Sequence, residues 1–175
     1  IQLKYLKKNI NSEFRVYSFL TCIDNWREHE NKFHYLSSEW ISEHPVKLNI
    51  LADVICAQAN DDDIIVFIDG DAFPISRIDS YVKENLKKHK LIAIKRTDNN
   101  GDVQPHPCFC ATTVGFWKEI KGDWHKGYRW TNGLGQSVTD TGGLMLEKML
   151  EFNVDWLPLV RTNRLDVHPL LFGIY

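Results

Sequence analysis

Apolar residues follow two different spacings along the chain, and the two alternate. Apolar positions recur three to four residues apart in four segments, which is typical of helices with one buried face. These predicted helices cover residues 1–10, 46–59, 78–90 and 141–152. Short runs rich in β-branched and aromatic residues predict strands. These predicted strands cover residues 14–23, 64–68, 91–95, 108–114 and 154–159. Because helices and strands alternate, we expect an α/β fold with a mostly parallel sheet flanked by helices.

The run from Ile64 to Ile68 is the clearest of these strands, and it ends at Asp69-Gly70-Asp71. A continuous apolar run is typical of a strand buried on both faces of a parallel sheet. Ligands of open α/β sheets bind at the carboxyl ends of strands. Two carboxylates this close repel each other unless a cation or a proton lies between them. Mg²⁺ and Mn²⁺ prefer carboxylate and phosphate oxygens, so the pattern predicts a metal that holds a diphosphate. The alternative is a simple Asp-Gly turn.

Composition narrows the class of protein. The chain has 175 residues, a formal net charge of −2 and 43% hydrophobic residues, which predicts a single domain over 1–175 with its own core. No apolar stretch is long enough to cross a bilayer, and the near-neutral charge gives no support to nucleic-acid binding. The cysteine spacing matches no zinc pattern, and we expect Cys108 and Cys110 to be reduced thiols on one face of a strand. We therefore expect a cytoplasmic setting, either free or at the inner face of a membrane.

The segment from Phe67 to Ile75, FIDGDAFPI, resembles the DxD segment of GT-A type nucleotide-sugar glycosyltransferases. Residues 44–52 are similar to the helix that precedes the DxD strand in those enzymes. The rest of the chain resembles the family in the order of its elements. The resemblance implies a GT-A fold and transfer of a sugar from a nucleotide-diphosphate donor, with a UDP-sugar favoured, to a hydroxyl of a glycan. It also implies Mn²⁺ or Mg²⁺ as the cofactor. GT-A domains begin with a strand, so we expect either a fragment lacking that first strand or a smaller sheet.

The resemblance also assigns roles to individual residues. In the family the second acid of the DxD segment binds the metal and the first binds metal or ribose, which places these roles on Asp71 and Asp69. A late histidine that ligates the metal would be His168. The general base at the head of a helix below the acceptor would be Asp140, whose alternative role is the N-cap of that helix.

The remaining candidate site residues are those expected to contact the donor or the acceptor. The donor contacts would be Asp24, His44, Lys47, Asn49 and His106. Trp124 and Trp130 belong to an aromatic, glycine-rich segment over 116–135, which we interpret as a platform for the acceptor sugar. The alternative is a covering flap built from buried aromatic rings.

Two other functions are compatible with the same patterns. A catalytically silent nucleotide-sugar-binding domain would need the DxD segment but no base at Asp140. A nucleotidyltransferase would also use carboxylate-bound Mg²⁺. It would need a glycine-rich basic loop near the N-terminus, and the sequence shows none there.

Overall fold

Helices and short strands alternate through the protein, whose structure is a computed structural model describing residues 1–96, 101–160 and 171–173. In chain order, the elements are α1 Gln2–Asn9, β1 Tyr17–Phe19, a 3₁₀ helix Trp26–Lys32, β2 Tyr35–Ser37, α2 His44–Cys56, β3 Ile64–Ile68, β4 Ala72–Pro74, α3 Asp79–Leu86, β5 Leu91–Lys95, β6 Pro105–Thr113, α4 Val114–Glu119, β7 Trp130–Thr131, β8 Ser137–Val138, α5 Gly143–Glu151, β9 Leu157–Val160 and β10 Leu171–Gly173.

The central sheet has four strands in the order β3, β6, β5, β9. Strand β6 is antiparallel to both of its neighbours, and β9 is parallel to β5. Strands β3, β5 and β9 therefore run in the same direction, with β6 inserted against them. Helices flank this sheet, and the predicted mixed α/β class is confirmed at that level.

The prediction that β3 is buried on both faces between parallel neighbours is wrong. Ile65 and Phe67 are buried, whereas Val66 between them is 38% exposed. The neighbour of β3 in the described sheet is the antiparallel β6. Antiparallel strands commonly have one face on the core and one in water, which accounts for the alternation.

The four predicted helices are present as α1, α2, α3 and α5. Helix α2 begins at His44, two residues before the predicted start, with Pro45 in its first turn, where the missing N–H costs nothing. The predicted strand over 14–23 is reduced to β1, which pairs in parallel with β2. Strand β2 was not predicted, because three residues are too few to show an alternating pattern.

Two apolar clusters lie on opposite faces of the sheet, since alternate residues of β5 belong to different clusters. The first cluster joins Phe67 to helices α2, α4 and α5, and the second joins the sheet to α3. Cys110 belongs to the first cluster and Cys108 to the second, and neither forms a disulfide, as predicted. The prediction that they share one face is wrong, because the register of β6 against β5 shifts between Ala93 and Ile94.

Candidate functional site

A tight turn follows β3 and carries both acids of the DxD segment. The Ala72 N–H donates to the Asp69 carbonyl at 3.0 Å, which closes the turn and directs the chain into β4. Asp71 is exposed, and the Asp69 side chain is 15% exposed. A Cβ placed on Gly70 would have none of the described atoms within 4 Å, so space remains open beside the two acids.

Helix α1 holds this turn in place through two side-chain amides. Gln2 Nε2 donates to the carbonyls of Asp69 and Ala72, both at 2.7 Å. Asn9 Nδ2, which is buried, donates to the Pro74 carbonyl at 2.7 Å. These contacts of Gln2 and Asn9 were not predicted, because a polar residue on an amphipathic helix normally faces solvent.

The Asp69 carboxylate lies at the meeting point of β3, β6 and α2. His44 Nε2, from the first residue of α2, lies 3.2 Å from Asp69 Oδ1. This oxygen is buried and accepts no hydrogen bond from the described residues. Asp69, His106 and Cys108 each offer a possible metal-ligand atom, and these atoms lie within 4.8 Å of one another. Two of the predicted donor contacts, His44 and His106, are therefore brought to Asp69. Burying a carboxylate oxygen without a hydrogen bond is costly, and a cation, either a protonated His44 or a metal ion, would offset that cost.

Asp140 does not cap helix α5, so the predicted N-cap role is wrong. The helix begins at Gly143 and its N-cap is Gly142, with φ of +89°. The Gly143 N–H donates to the Asp140 carbonyl at 3.0 Å, and Asp140 Oδ1 accepts the Thr141 N–H at 2.8 Å. The positive φ favours glycine at position 142, and a Cβ there would collide with the Pro105 carbonyl oxygen. This contact sets the Asp140 turn against β6, one residue from His106.

Two cations flank the Asp140 carboxylate, which is 33% exposed. Arg96 Nη1 lies 3.7 Å from Oδ2, and Lys126 Nζ lies 3.9 Å from Oδ1. Arg96 Nε also lies 3.9 Å from the carboxylate of Asp102, a residue that is 2% exposed. Gln104 is 1% exposed, and neither of its side-chain polar atoms has a hydrogen-bond partner among the described residues. This group was not predicted, because Asp102 and Gln104 are polar residues outside the predicted strands and their burial depends on the tertiary fold.

Asn49 uses both ends of its amide within the fold. Its Nδ2 donates to Asp123 Oδ1 at 2.7 Å, and its Oδ1 accepts the Trp124 N–H at 3.0 Å. The His125 N–H also donates to Asp123 Oδ1, at 2.8 Å. Asn49 thus fixes the segment 123–125 to α2, which leaves its predicted role as a donor contact without support.

The other predicted site residues lie in three places. Lys47 Nζ donates to Thr21 Oγ1 at 3.4 Å, next to the turn after β1. Asp24 is exposed in that turn. His168 lies outside the described residues. None of these three predictions is tested by the structure.

The prediction of an aromatic platform for the acceptor is wrong. Trp124 is 0% exposed, and its ring packs against Phe67 and Trp117 at centroid distances of 5.0 and 5.7 Å. Trp130 is 7% exposed. Rings buried this far offer no face to a sugar, and both belong instead to the covering flap that was the alternative interpretation. A tryptophan that is exposed is Trp40, at 73%, four residues before His44.

A small hairpin stands on this flap. Strands β7 and β8 pair antiparallel, and the Gly127 N–H donates to Thr139 Oγ1 at 3.0 Å at the base of the hairpin. One step further in, the Gly142 N–H donates to the Trp124 carbonyl at 2.8 Å. The hairpin therefore begins and ends at the same point, beside Asp140.

The pKa of Asp123 lies below its ordinary value. Partial burial pushes this pKa up, but hydrogen bonds from the His125 N–H, the Asn49 amide and the His125 ring outweigh it. Because the folded pKa is lower than the unfolded one, Asp123 stabilises the fold above about pH 4, and this stabilisation is lost as the pH falls through the folded pKa. We expect the difference in Tm between wild type and Asp123→Asn to be largest near neutral pH and to shrink in acid. Thermal melts at stepped pH measure it, with exposed Asp62→Asn as control, and a constant difference would contradict the assignment.

Comparison with known proteins adds no assignment: no protein-family model and no curated protein matches the chain. Within the described residues, every helix is too short or too polar to cross a membrane. The function is therefore inferred from the geometry around Asp69 and Asp140.

Proposed function

We propose that the protein is a metal-dependent glycosyltransferase of the GT-A type. It transfers a sugar from a nucleotide-diphosphate donor, with a UDP-sugar favoured, to a hydroxyl of a glycan. The observation that carries the proposal is the Asp69-Gly70-Asp71 turn at the carboxyl end of β3, where a buried carboxylate oxygen accepts no hydrogen bond from the described residues. Such an oxygen fits a bound cation, because a buried carboxylate oxygen that accepts no hydrogen bond is unfavourable and its described neighbour, His44 at 3.2 Å, is charged only when protonated.

The surroundings of this turn suit a diphosphate. Asp69 and Asp71 would hold Mn²⁺ or Mg²⁺, which would neutralise the negative charge of the departing nucleoside diphosphate. Helix α2 begins at His44, whose side chain lies 3.2 Å from the Asp69 carboxylate. The start of a helix carries partial positive charge and commonly binds phosphate groups. The open space beside Gly70 leaves room for these groups.

Asp140 is the group that we assign to the acceptor. As the acceptor oxygen attacks the anomeric carbon, its proton passes to the Asp140 carboxylate, and the bond from that carbon to the diphosphate oxygen breaks. Arg96 lies beside Asp140, with its side chain 21% exposed, and offers hydrogen-bond donors to sugar hydroxyls. The contact of Gly142 with Pro105 supports this arrangement, since it sets the Asp140 turn against β6, one residue from His106.

The alternative is a nucleotide-sugar-binding domain without activity, and one observation favours it. The Asp140 carboxylate already has Arg96, Lys126 and the Thr141 N–H as neighbours, which is enough to explain it as a structural residue. Donor hydrolysis across a panel of nucleotide sugars, with Mn²⁺ and with EDTA, separates the two functions. Turnover that EDTA abolishes supports the transferase. Binding without turnover supports the alternative, and no binding of any nucleotide sugar would exclude both.

Asp71→Asn is expected to weaken Mn²⁺-dependent binding of UDP by about ten- to a hundredfold, because one charged ligand is lost. The fold should persist, since the side chain is exposed in a turn. Isothermal titration of UDP in the presence of Mn²⁺ gives the affinity. The matched control is Asp62→Asn, an exposed acid that precedes β3 at its other end. Equal affinity in the two variants would remove Asp71 from the metal site.

A further inference from the structure

A carboxylate, an imidazole and a thiol meet at the carboxyl end of β3. We propose that Asp69, His106 and Cys108 form a binding site for a transition-metal cation of the Zn²⁺ class, either Zn²⁺ or Co²⁺, with one coordination position left open. Their ligand atoms lie within 4.8 Å of one another. This site shares Asp69 with the proposed diphosphate site, but it stands on its own side chains and does not require that the protein transfers sugars.

The chemistry of the ligands selects the class of metal. Mg²⁺ and Ca²⁺ take oxygen ligands, whereas thiolate and imidazole select softer ions such as Zn²⁺. Zinc sites with three protein ligands keep a fourth position for water or substrate. Metal–ligand bonds of about 2.0–2.3 Å in a tetrahedron hold the ligand atoms about 3.5 Å apart. The three side chains therefore need to close by little more than about 1 Å at most.

The pairing of two strands brings the ligands together. His106 and Cys108 lie two residues apart near the start of β6, and Asp69 follows β3 directly. The Asp69 N–H donates to the Cys108 carbonyl at 3.3 Å, which fixes the two strands at this point. The spacing of the cysteines alone could not reveal the site, because its third ligand comes from a strand distant in sequence.

The hydrogen bonds and burial of the three side chains bear on metal binding. The Cys108 N–H donates to His106 Nδ1 at 3.2 Å, so the neutral ring carries its proton on Nε2, and the ring gives up this hydrogen bond when it ligates a metal. His106 is 9% exposed and Cys108 is 4% exposed, and Asp69 Oδ1 is buried with no hydrogen bond from the described residues. A cation would satisfy that oxygen. On binding, the Cys108 thiol passes its proton to the solvent and its sulfur lone pair to the metal, so one proton is released for each ion bound.

Titration of the metal-free, reduced protein with Co²⁺ tests the site directly. We expect one equivalent of Co²⁺ to produce a thiolate-to-cobalt charge-transfer band in the near ultraviolet, together with intense visible bands of a tetrahedral ion, and Zn²⁺ to remove both. The matched pair of variants is Cys108→Ser and Cys110→Ser, which change two buried cysteines of the same strand, neither in a disulfide. The band should disappear in Cys108→Ser and persist in Cys110→Ser. A protein without the band, or a band that survives in Cys108→Ser, would overturn the proposal.

X-ray absorption of the zinc-loaded wild type decides the matter if Cys108→Ser does not fold. One sulfur at about 2.3 Å, with nitrogen and oxygen at about 2.0–2.2 Å, is the expected shell. A shell of nitrogen and oxygen alone, or one with two or more sulfurs, would overturn the proposal. His106→Ala should weaken Zn²⁺ binding by at least about tenfold, since outer contacts alone are worth that much.

The two proposals fail separately. If the wild type gives no cobalt band but binds UDP in the presence of Mn²⁺, the Zn²⁺-class site is excluded and the transferase proposal stands. A cobalt band in a protein that binds no nucleotide sugar would keep the metal site and remove the transferase.

Discussion

Replacement of Asp140 by asparagine is expected to slow sugar transfer by about 10²- to 10⁴-fold, the usual contribution of a positioned proton acceptor. Asparagine keeps the shape of the side chain and can still accept the Thr141 N–H through Oδ1. The ion pairs that it loses, to Arg96 and Lys126, are long and partly exposed, so they contribute little to stability. We therefore expect the Tm and the affinity for the donor to stay close to those of the wild type.

The measurement combines transfer to an acceptor, donor affinity and Tm on the same preparation. Asp61→Asn is the matched control, because Asp61 also loses an ion pair, to Lys118 at 2.8 Å, but it lies before β3 rather than after it. Transfer should fall in Asp140→Asn alone. Full activity in that variant would show that Asp140 is not the base and would reduce it to a partner of Arg96.

Trp124→Ala is expected to lower the free energy of unfolding by about 3–5 kcal/mol, the usual cost of removing a buried tryptophan. The ring is 0% exposed between Phe67 and Trp117, so its loss leaves a cavity next to β3. Urea unfolding followed by circular dichroism measures this change.

Trp40→Ala serves as the comparison, because Trp40 is 73% exposed and should change stability by less than about 0.5 kcal/mol. The pair also tests the corrected role of the aromatic segment. If Trp124→Ala unfolded at the same urea concentration as the wild type and lost only affinity for an acceptor, the buried position of Trp124 would be wrong.

Local sequence patterns were enough to predict the bounds of several helices and strands. The bounds of β3 and β5 were predicted to the residue, because each is a short apolar run between polar stops. The bounds of helix α2 were predicted within three residues at each end, because its apolar positions recur at helical spacing. The antiparallel position of β6 could not be predicted, since it depends on pairing between residues far apart in the sequence.

The same limit applies to the candidate site. Asp69 was predicted from the DxD segment and His106 from the order of elements in the GT-A resemblance, but their meeting with Cys108 depends on how β3 pairs with β6. Aromatic composition suggested a platform around Trp124, yet composition does not distinguish a ring that faces solvent from one that fills the core. Asp140 resembled an N-cap in sequence, but α5 begins at Gly143 and its N-cap is Gly142, whose positive φ the sequence pattern did not predict.

The hairpin over residues 127–139 has a use in engineering. Its two ends meet at the hydrogen bond from the Gly127 N–H to Thr139 Oγ1, and its tip over residues 132–136 is mostly exposed, so the tip can be exchanged as a cassette while the buried Trp130 stays in place. The cost of closing a flexible loop rises only slowly with its length, and longer or shorter cassettes should be accepted. The turn at Asp69 and the carboxylate of Asp140, to which we assign the donor and the acceptor, both lie outside the exchanged segment. Under that assignment, a library of such cassettes would vary the surroundings of the acceptor without changing the proposed catalytic groups.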